Sequence, residues 1–336
     1  MKRESFGSRL GFILVSAGCA IGIGNVWKFP YICGAYGGAA FILIYLLFLI
    51  ILGIPVLVCE FAVGRGSRKS VALSFDELQS KNGKWTPLKF IGIIGCYMLM
   101  MFYTTVGGWL MYYCYKGIRG SFVNASSDNI STQFTQMLTD VPTMLFWTIL
   151  ICVIGFAVCM FGLNNGIERV TKVMMTALIL IMVVLAIRSV TMTGAGAGIR
   201  FYLIPDFHKM VESGIGNVVF AALSQAFFTL SIGIGAMLIF GSYLDQSRSL
   251  TGEAVNIMLL DTFVALTAGF IIIPACFAYG IEPGAGPSLI FITLPNIFAQ
   301  MSGGRIWAFL FFLFLTFAAL STIIAVFENL VMFNME

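Results

Sequence analysis

Charge is scarce in this sequence: 10% of its 336 residues are Asp, Glu, Lys or Arg, against about 25% in an ordinary soluble domain. Hydrophobic residues make up 59% and the mean hydropathy is +0.97, a balance that does not fit a water-soluble fold. Histidine is nearly missing. The single one, His208, falls in an expected outside loop with no metal-ligand or nucleophile partner nearby in sequence, which argues against an enzyme centre. The eight cysteines show no C-x-x-C spacing, so neither a disulfide framework nor a metal site is signalled; they read as small apolar residues. The net charge of +4 comes without a basic run interleaved with exposed aromatics, so there is no nucleic-acid footprint.

Long apolar runs are what the chain has instead. They lie near Leu10 to Tyr36, Gly38 to Val63, Leu88 to Tyr115, Met144 to Gly162, Val170 to Thr191, Ile215 to Phe240, Ala254 to Tyr279 and Ile306 to Phe333. Each approaches the roughly 20 residues that cross a bilayer, and Gly, Pro and charge clusters separate them. The reading is eight transmembrane helices in a multi-pass protein of the plasma (inner) membrane. Positive charge favours cytoplasmic loops. With the N-terminus inside, the cytoplasmic segments, such as Lys2 to Arg9 and Arg65 to Lys69, carry most of the Lys and Arg, so a cytoplasmic N-terminus is the better choice.

Two of the spans carry small residues where an unbroken helix would not. The first holds Gly18-Cys-Ala-Ile-Gly-Ile-Gly24 and the sixth Ser231-Ile-Gly-Ile-Gly235. Glycine is costly in a helix interior, and unwound backbone at membrane depth is tolerated only where it lines a cavity or lies buried in protein. Close helix packing through small residues is the alternative.

Around these breaks stand Arg9-Leu-Gly11, Gly24-Asn-Val-Trp-Lys-Phe-Pro30, Gly53-Ile-Pro55 with Glu60 and Gly64-Arg65, Tyr103 and Trp109, and Gly166-Ile-Glu-Arg169. Later come Gln225-Ala-Phe-Phe-Thr-Leu-Ser231, Phe291-Ile-Thr-Leu-Pro295 and Ala318-Ala-Leu-Ser-Thr322. Through these motifs the chain resembles the neurotransmitter:sodium symporter family, specifically a sodium-coupled amino-acid transporter of its bacterial branch. The resemblance implies an all-α membrane protein with an inverted repeat and broken helices one and six, a rule itself drawn partly from that family. Residues 1–195 would form the first five-helix repeat and 196–336 part of a second, the chain appearing truncated after the eighth helix. A reading of another class is a truncated fragment that binds ligand or partner helices without transporting.

The resemblance also implies two sodium sites, carried over position by position, and no organic cofactor. The first would use the carbonyl of Ala20, the side chain of Asn25, Thr229, Asp261 and the substrate carboxylate. The second would use carbonyls of Gly18, Ile21 and Ala318 with hydroxyls of Ser321 and Thr322. Sodium is a hard cation that wants several oxygens, and a broken helix exposes carbonyls otherwise paired within it. Hydroxyls bonded back to their own helix are the alternative for Ser321 and Thr322.

For the substrate, the matching positions are Ala20, Ile23, Gly24, Leu99, Tyr103, Phe228, Thr229, Ser231, Ile234 and Val326, most of them apolar. Biogenic-amine members place an aspartate where Gly22 stands here. Its absence suits a substrate that brings its own carboxylate, and the expectation is an apolar or aromatic L-amino acid.

Charges within the spans are Lys28, Glu60, Asp261 and Glu328, and such residues are usually functional. Lys28 matches an outer-gate basic residue and Arg3 an inner-gate arginine whose acidic partner falls at Glu336. Glu60 resembles an acid that supports the broken helices, whereas Glu328 is expected either to snorkel toward the cytoplasmic face or to serve transport. Ala265 falls where animal relatives carry a serine that helps hold chloride. The expectation is chloride-independent transport, with the Asp261 carboxylate supplying the negative charge.

Overall fold

The computed structural model describes residues 6–281, 283, 286 and 288–336, so Arg3 lies outside the described residues. The helices in chain order are α1 Arg9–Ala20, α2 Gly24–Ala35, α3 Ala39–Ser67, α4 Val71–Leu78, α5 Pro87–Arg119, α6 Ser127–Thr139, α7 Val141–Met160 and α8 Leu163–Val190. They continue with α9 Ala195–Leu203, α10 Phe207–Glu212, α11 Ile215–Thr229, α12 Ala236–Ser242, α13 Leu250–Ala278, α14 Leu289–Gln300 and α15 Gly304–Met335. No strand occurs among the described residues.

Six of these, α3, α5, α7, α8, α13 and α15, are long and apolar enough to cross a membrane, and the pair α1 and α2, bent by 55°, makes a seventh. The sixth expected span is in two pieces of 15 and 7 residues, α11 and α12, separated by residues 230–235. Short helices also fill stretches that hydropathy leaves as loops. One is α6, started by Ser126, whose hydroxyl accepts from the Asn129 amide, the usual means of satisfying an orphan N–H at a helix start.

Burial divides the spans by role. The most apolar windows of α15 and α13 are 78% and 67% buried, whereas that of α7 is 11% buried. The first two are therefore the interior posts, and α7 is a rim helix facing lipid. Around α15 pack α5, α8, α7 and α1, while α13 contacts α1, α2, α3, α8 and α9. In lipid the driving force for such packing is close contact rather than hydrophobicity. Gly64 of α3 and Gly241 of α12 show this: a Cβ on Gly64 would overlap the Leu238 carbonyl, and one on Gly241 would stand 2.7 Å from Phe61 Cα.

The start of α1 is tied down by polar contacts. The Gly7 amide donates to Asn164 Oδ1 and Glu168 Oε2, and Ser8 and Lys172 donate to Glu168 Oε1. Arg9 bridges to Glu253 of α13 at 2.9 Å, which gives the Arg-Leu-Gly motif a structural partner.

Candidate functional site

At the first break, Ile21 and Gly22 leave the helical path. The carbonyls released there find side-chain donors from α15. Thr322 Oγ1 lies 3.2 Å from both Gly18 O and Cys19 O, 3.5 Å from Ile21 O and 3.4 Å from Ala318 O. Ser321 Oγ lies 3.0 Å from Ala318 O and 3.5 Å from Ile21 O. The five positions expected for the second sodium, Gly18, Ile21, Ala318, Ser321 and Thr322, are thus brought together. The hydroxyls bond both to their own helix and across to α1. A cluster of carbonyl and hydroxyl oxygens without a fixed charge suits a monovalent hard cation.

The second cluster joins three elements. Asp261 of α13 is fully buried; Asn25 Nδ2 donates to its Oδ1 at 2.8 Å and to its carbonyl at 3.2 Å, and Thr229 Oγ1 donates to its Oδ2 at 2.9 Å. A buried carboxylate is tolerated only when paired or hydrogen-bonded. Here both oxygens are engaged by neutral donors, and no salt bridge to Asp261 occurs among the described residues. A cation would complete the group. Asn25 Oδ1 accepts only a long contact, 3.4 Å from the Gly22 amide, so an oxygen remains available there.

Between the breaks lies a cavity of about 90 Å³ lined by Ala20, Gly24, Leu99, Tyr103, Phe227, Phe228, Ser231, Ile232, Ile234 and Thr322. Its volume has room for several waters. Of the expected substrate residues, Ala20, Gly24, Leu99, Tyr103, Phe228, Ser231 and Ile234 line it, while Ile23, Thr229 and Val326 do not. Ile23 instead donates its amide to the Tyr103 hydroxyl at 2.7 Å. Thr229 is turned to Asp261, and Val326 is buried in the core. A Cβ on Gly22 would overlap the Tyr103 hydroxyl and come within 2.6 Å of Thr322 Oγ1, so both polar side chains reach the backbone only because that residue is glycine.

Lys28 places its amine 4.2 Å from the centre of the Phe228 ring, a cation–π contact over a ring that lines the cavity. Glu60 Oε1 accepts from the Gly233 amide at 2.5 Å, tying α3 to the sixth-helix break. Glu328 is buried rather than snorkelled, because Tyr243 donates to it at 2.5 Å inside the bundle.

Four features escaped the sequence reading: Phe227 and Ile232 in the lining, the bond from Gln225 Nε2 to Gly24 O at 3.0 Å, and the contact of Cys96 Sγ with Ile234 O at 3.1 Å. Only Gln225, an amide in an apolar run, gave any signal.

A family model described as the sodium:neurotransmitter symporter family matches residues 3–137 and 125–335. The chain is 36% identical to the sodium-dependent transporter YhdH of Bacillus subtilis, over 98% of this chain and 72% of that protein. It is 34% identical to a sodium-dependent transporter of Haemophilus influenzae, over 98% of this chain and 73% of that one. Among solved structures, that of MhsT in complex with L-phenylalanine superposes with a TM-score of 0.90 at 38% identity, covering 99% of this chain and 75% of that chain.

Proposed function

Because the chain belongs to the sodium:neurotransmitter symporter family, whose members are symporters rather than enzymes, we propose that it couples sodium to uptake of an apolar or aromatic L-amino acid and needs no chloride. Two sodium ions are cargo in this reading. One is held by Ala20, Asn25, Thr229 and Asp261 with the substrate carboxylate, the other by Gly18, Ile21, Ala318, Ser321 and Thr322. The amino acid occupies the cavity between the breaks, with the Tyr103 hydroxyl within reach of its carboxylate and Leu99, Phe228 and Ile234 around its side chain. Lys28 closes the outer side over Phe228. The protein sits in the plasma membrane with its N-terminus cytoplasmic, and residues 1–195 and 196–336 divide it between the two repeats.

The observation that carries this reading is the buried Asp261 carboxylate, bonded by Asn25 and Thr229 and facing no basic side chain among the described residues. Two unit charges about 4 Å apart interact by about 4 kcal/mol at an effective dielectric of about 20, enough for this carboxylate to take over the neutralising role of a chloride ion. Two further facts support it: Ala265 is buried and offers no hydroxyl for chloride, and the similar MhsT structure holds L-phenylalanine. The test is sodium-driven uptake of labelled amino acids into proteoliposomes containing the full-length protein, with chloride replaced by gluconate. Undiminished uptake is expected. Strict chloride dependence would refute the charge assignment, and loss of chloride-free uptake in Asp261→Asn with Ala265→Ser, partly restored by chloride, would locate it.

A further inference from the structure

We infer that Cys96 is a positioning residue which, held by Asn329, fixes Ile234 against α5 and so sets the size of side chain the cavity accepts. The inference rests on the proposal that this cavity is the amino-acid site. Ile234 lies between Gly233 and Gly235, whose φ angles are +91° and +75°, in an unwound stretch with few ties. A Cβ built on Gly233 would meet nothing within 4 Å, so the segment has open space on that side.

What holds Ile234 comes from α5 and α15. The Cys96 thiol donates to its carbonyl at 3.1 Å, and Cys96 Sγ accepts from Asn329 Nδ2 at 3.4 Å. Chains of this kind polarise one another, so the amide strengthens a thiol bond that is weak alone. The seat beneath is made of small residues: a Cβ on Gly95 would lie 3.5 Å from Ile234 Cγ2, and one on Gly92 3.6 Å from Ile234 O. Side chains longer than a methyl group there would press on Ile234 and, from Gly92, on Val71, and the other side of Ile234 faces the cavity.

Asn329 supplies an independent sign. It is fully buried, and its Oδ1 has no partner among the described residues. Leaving a buried acceptor unpaired is costly, so an apolar residue would serve packing better. Among the described residues its side chain makes a single hydrogen bond, to Cys96.

The test compares affinities for labelled L-tryptophan and L-valine in the full-length protein, together with the sodium concentration for half-maximal binding. Cys96→Leu, which pushes Ile234 inward, should lower the tryptophan-to-valine preference by about tenfold, the scale of a methylene or two in an apolar pocket. Cys96→Ala and Asn329→Leu, which release Ile234, should raise it several-fold, and Cys96→Ser should leave it within about twofold. Sodium dependence should not move in any of them.

Equal changes for both amino acids across the series would overturn the inference and leave Cys96 a packing residue. If Cys96→Leu does not reach the membrane, Cys96→Ala and Asn329→Leu decide the matter alone. Tyr103→Phe separates the two levels. Where it weakens both substrates and the Cys96 series leaves the preference flat, only this inference fails; where it weakens neither, the reading of the cavity fails and this inference with it.

Discussion

Between α1 and α2 the chain turns through 55° with every residue of the break at negative φ. Between α11 and α12, Ser231, Gly233 and Gly235 take φ of +51°, +91° and +75°. The first break is clamped: Thr322, Ser321, Ser231, Tyr103, Gln225 and Asn25 all bond to its backbone. The second is tethered at three points, through Ser231 to Cys19 O, Glu60 to the Gly233 amide, and Cys96 to Ile234 O. A clamped array of carbonyls suits ions, whose coordination tolerates little displacement. A loosely tied, glycine-flanked segment suits side chains of varied shape. On the proposed function the first break would serve mainly ion binding and the second mainly side-chain recognition, with Ser231 joining them directly.

The strongest way to break that division is Gly22→Ala. Its methyl group would collide with the Tyr103 hydroxyl and Thr322 Oγ1, disturbing the cavity and the Ser321–Thr322 oxygen cluster at once. A displacement near 1 Å costs about a hundredfold in a preorganised site, so sodium-driven uptake should fall to background while membrane insertion, read by fluorescence-detected chromatography, persists. Retained uptake would mean that Gly22 is not the point of contact.

Asn25→Ala and Thr229→Ala each remove one donor from the buried Asp261 carboxylate. Hydrogen bonds to charged groups contribute about 1.5 to 3 kcal/mol, so sodium affinity should weaken by roughly ten- to a hundredfold. Substrate affinity should fall with it, since the linkage is reciprocal. Binding titrations in which one ligand weakens and the other does not would dissociate the shared site.

Ser231→Ala cuts the hydrogen bond that joins the two breaks among the described residues while keeping the left-handed backbone. A neutral bond contributes about 1 kcal/mol, which predicts roughly a fivefold loss of amino-acid affinity and little change in sodium affinity. Equal losses of both would show that the breaks do not act separately. For binding, Gly233→Ala is expected to be mildest, as its methyl group meets open space and its left-handed penalty of about 1 to 2 kcal/mol falls on folding. Its effect should appear as lowered thermal stability with sodium affinity unchanged.

How much of this was legible depended on whether the signal was local. Gly18 to Gly24 and Ser231 to Gly235 announce both breaks, because glycine density inside an apolar run is visible without a structure. Asn25, Thr229 and Asp261 stand out as polar groups in such runs, and they do converge. By contrast, nothing in sequence distinguishes Cys96 from the other membrane cysteines, or Val326, buried away from the cavity, from Ile234, which lines it. Those distinctions arise from contacts across 138 or 233 positions. Glu328 read either as a snorkelling acid or as a transport residue, because its partner Tyr243 is 85 residues away.

The claim that sodium and the amino acid share the cluster of Asn25, Thr229 and Asp261 is tested most directly by equilibrium binding of labelled L-phenylalanine to the purified full-length protein. Sodium would be titrated against potassium in a gluconate medium free of chloride. The account predicts that affinity rises steeply with sodium in the wild type, and that the rise is largely lost in Asn25→Ala. Binding that is equally tight in potassium, or a sodium dependence untouched by Asn25→Ala, would contradict it.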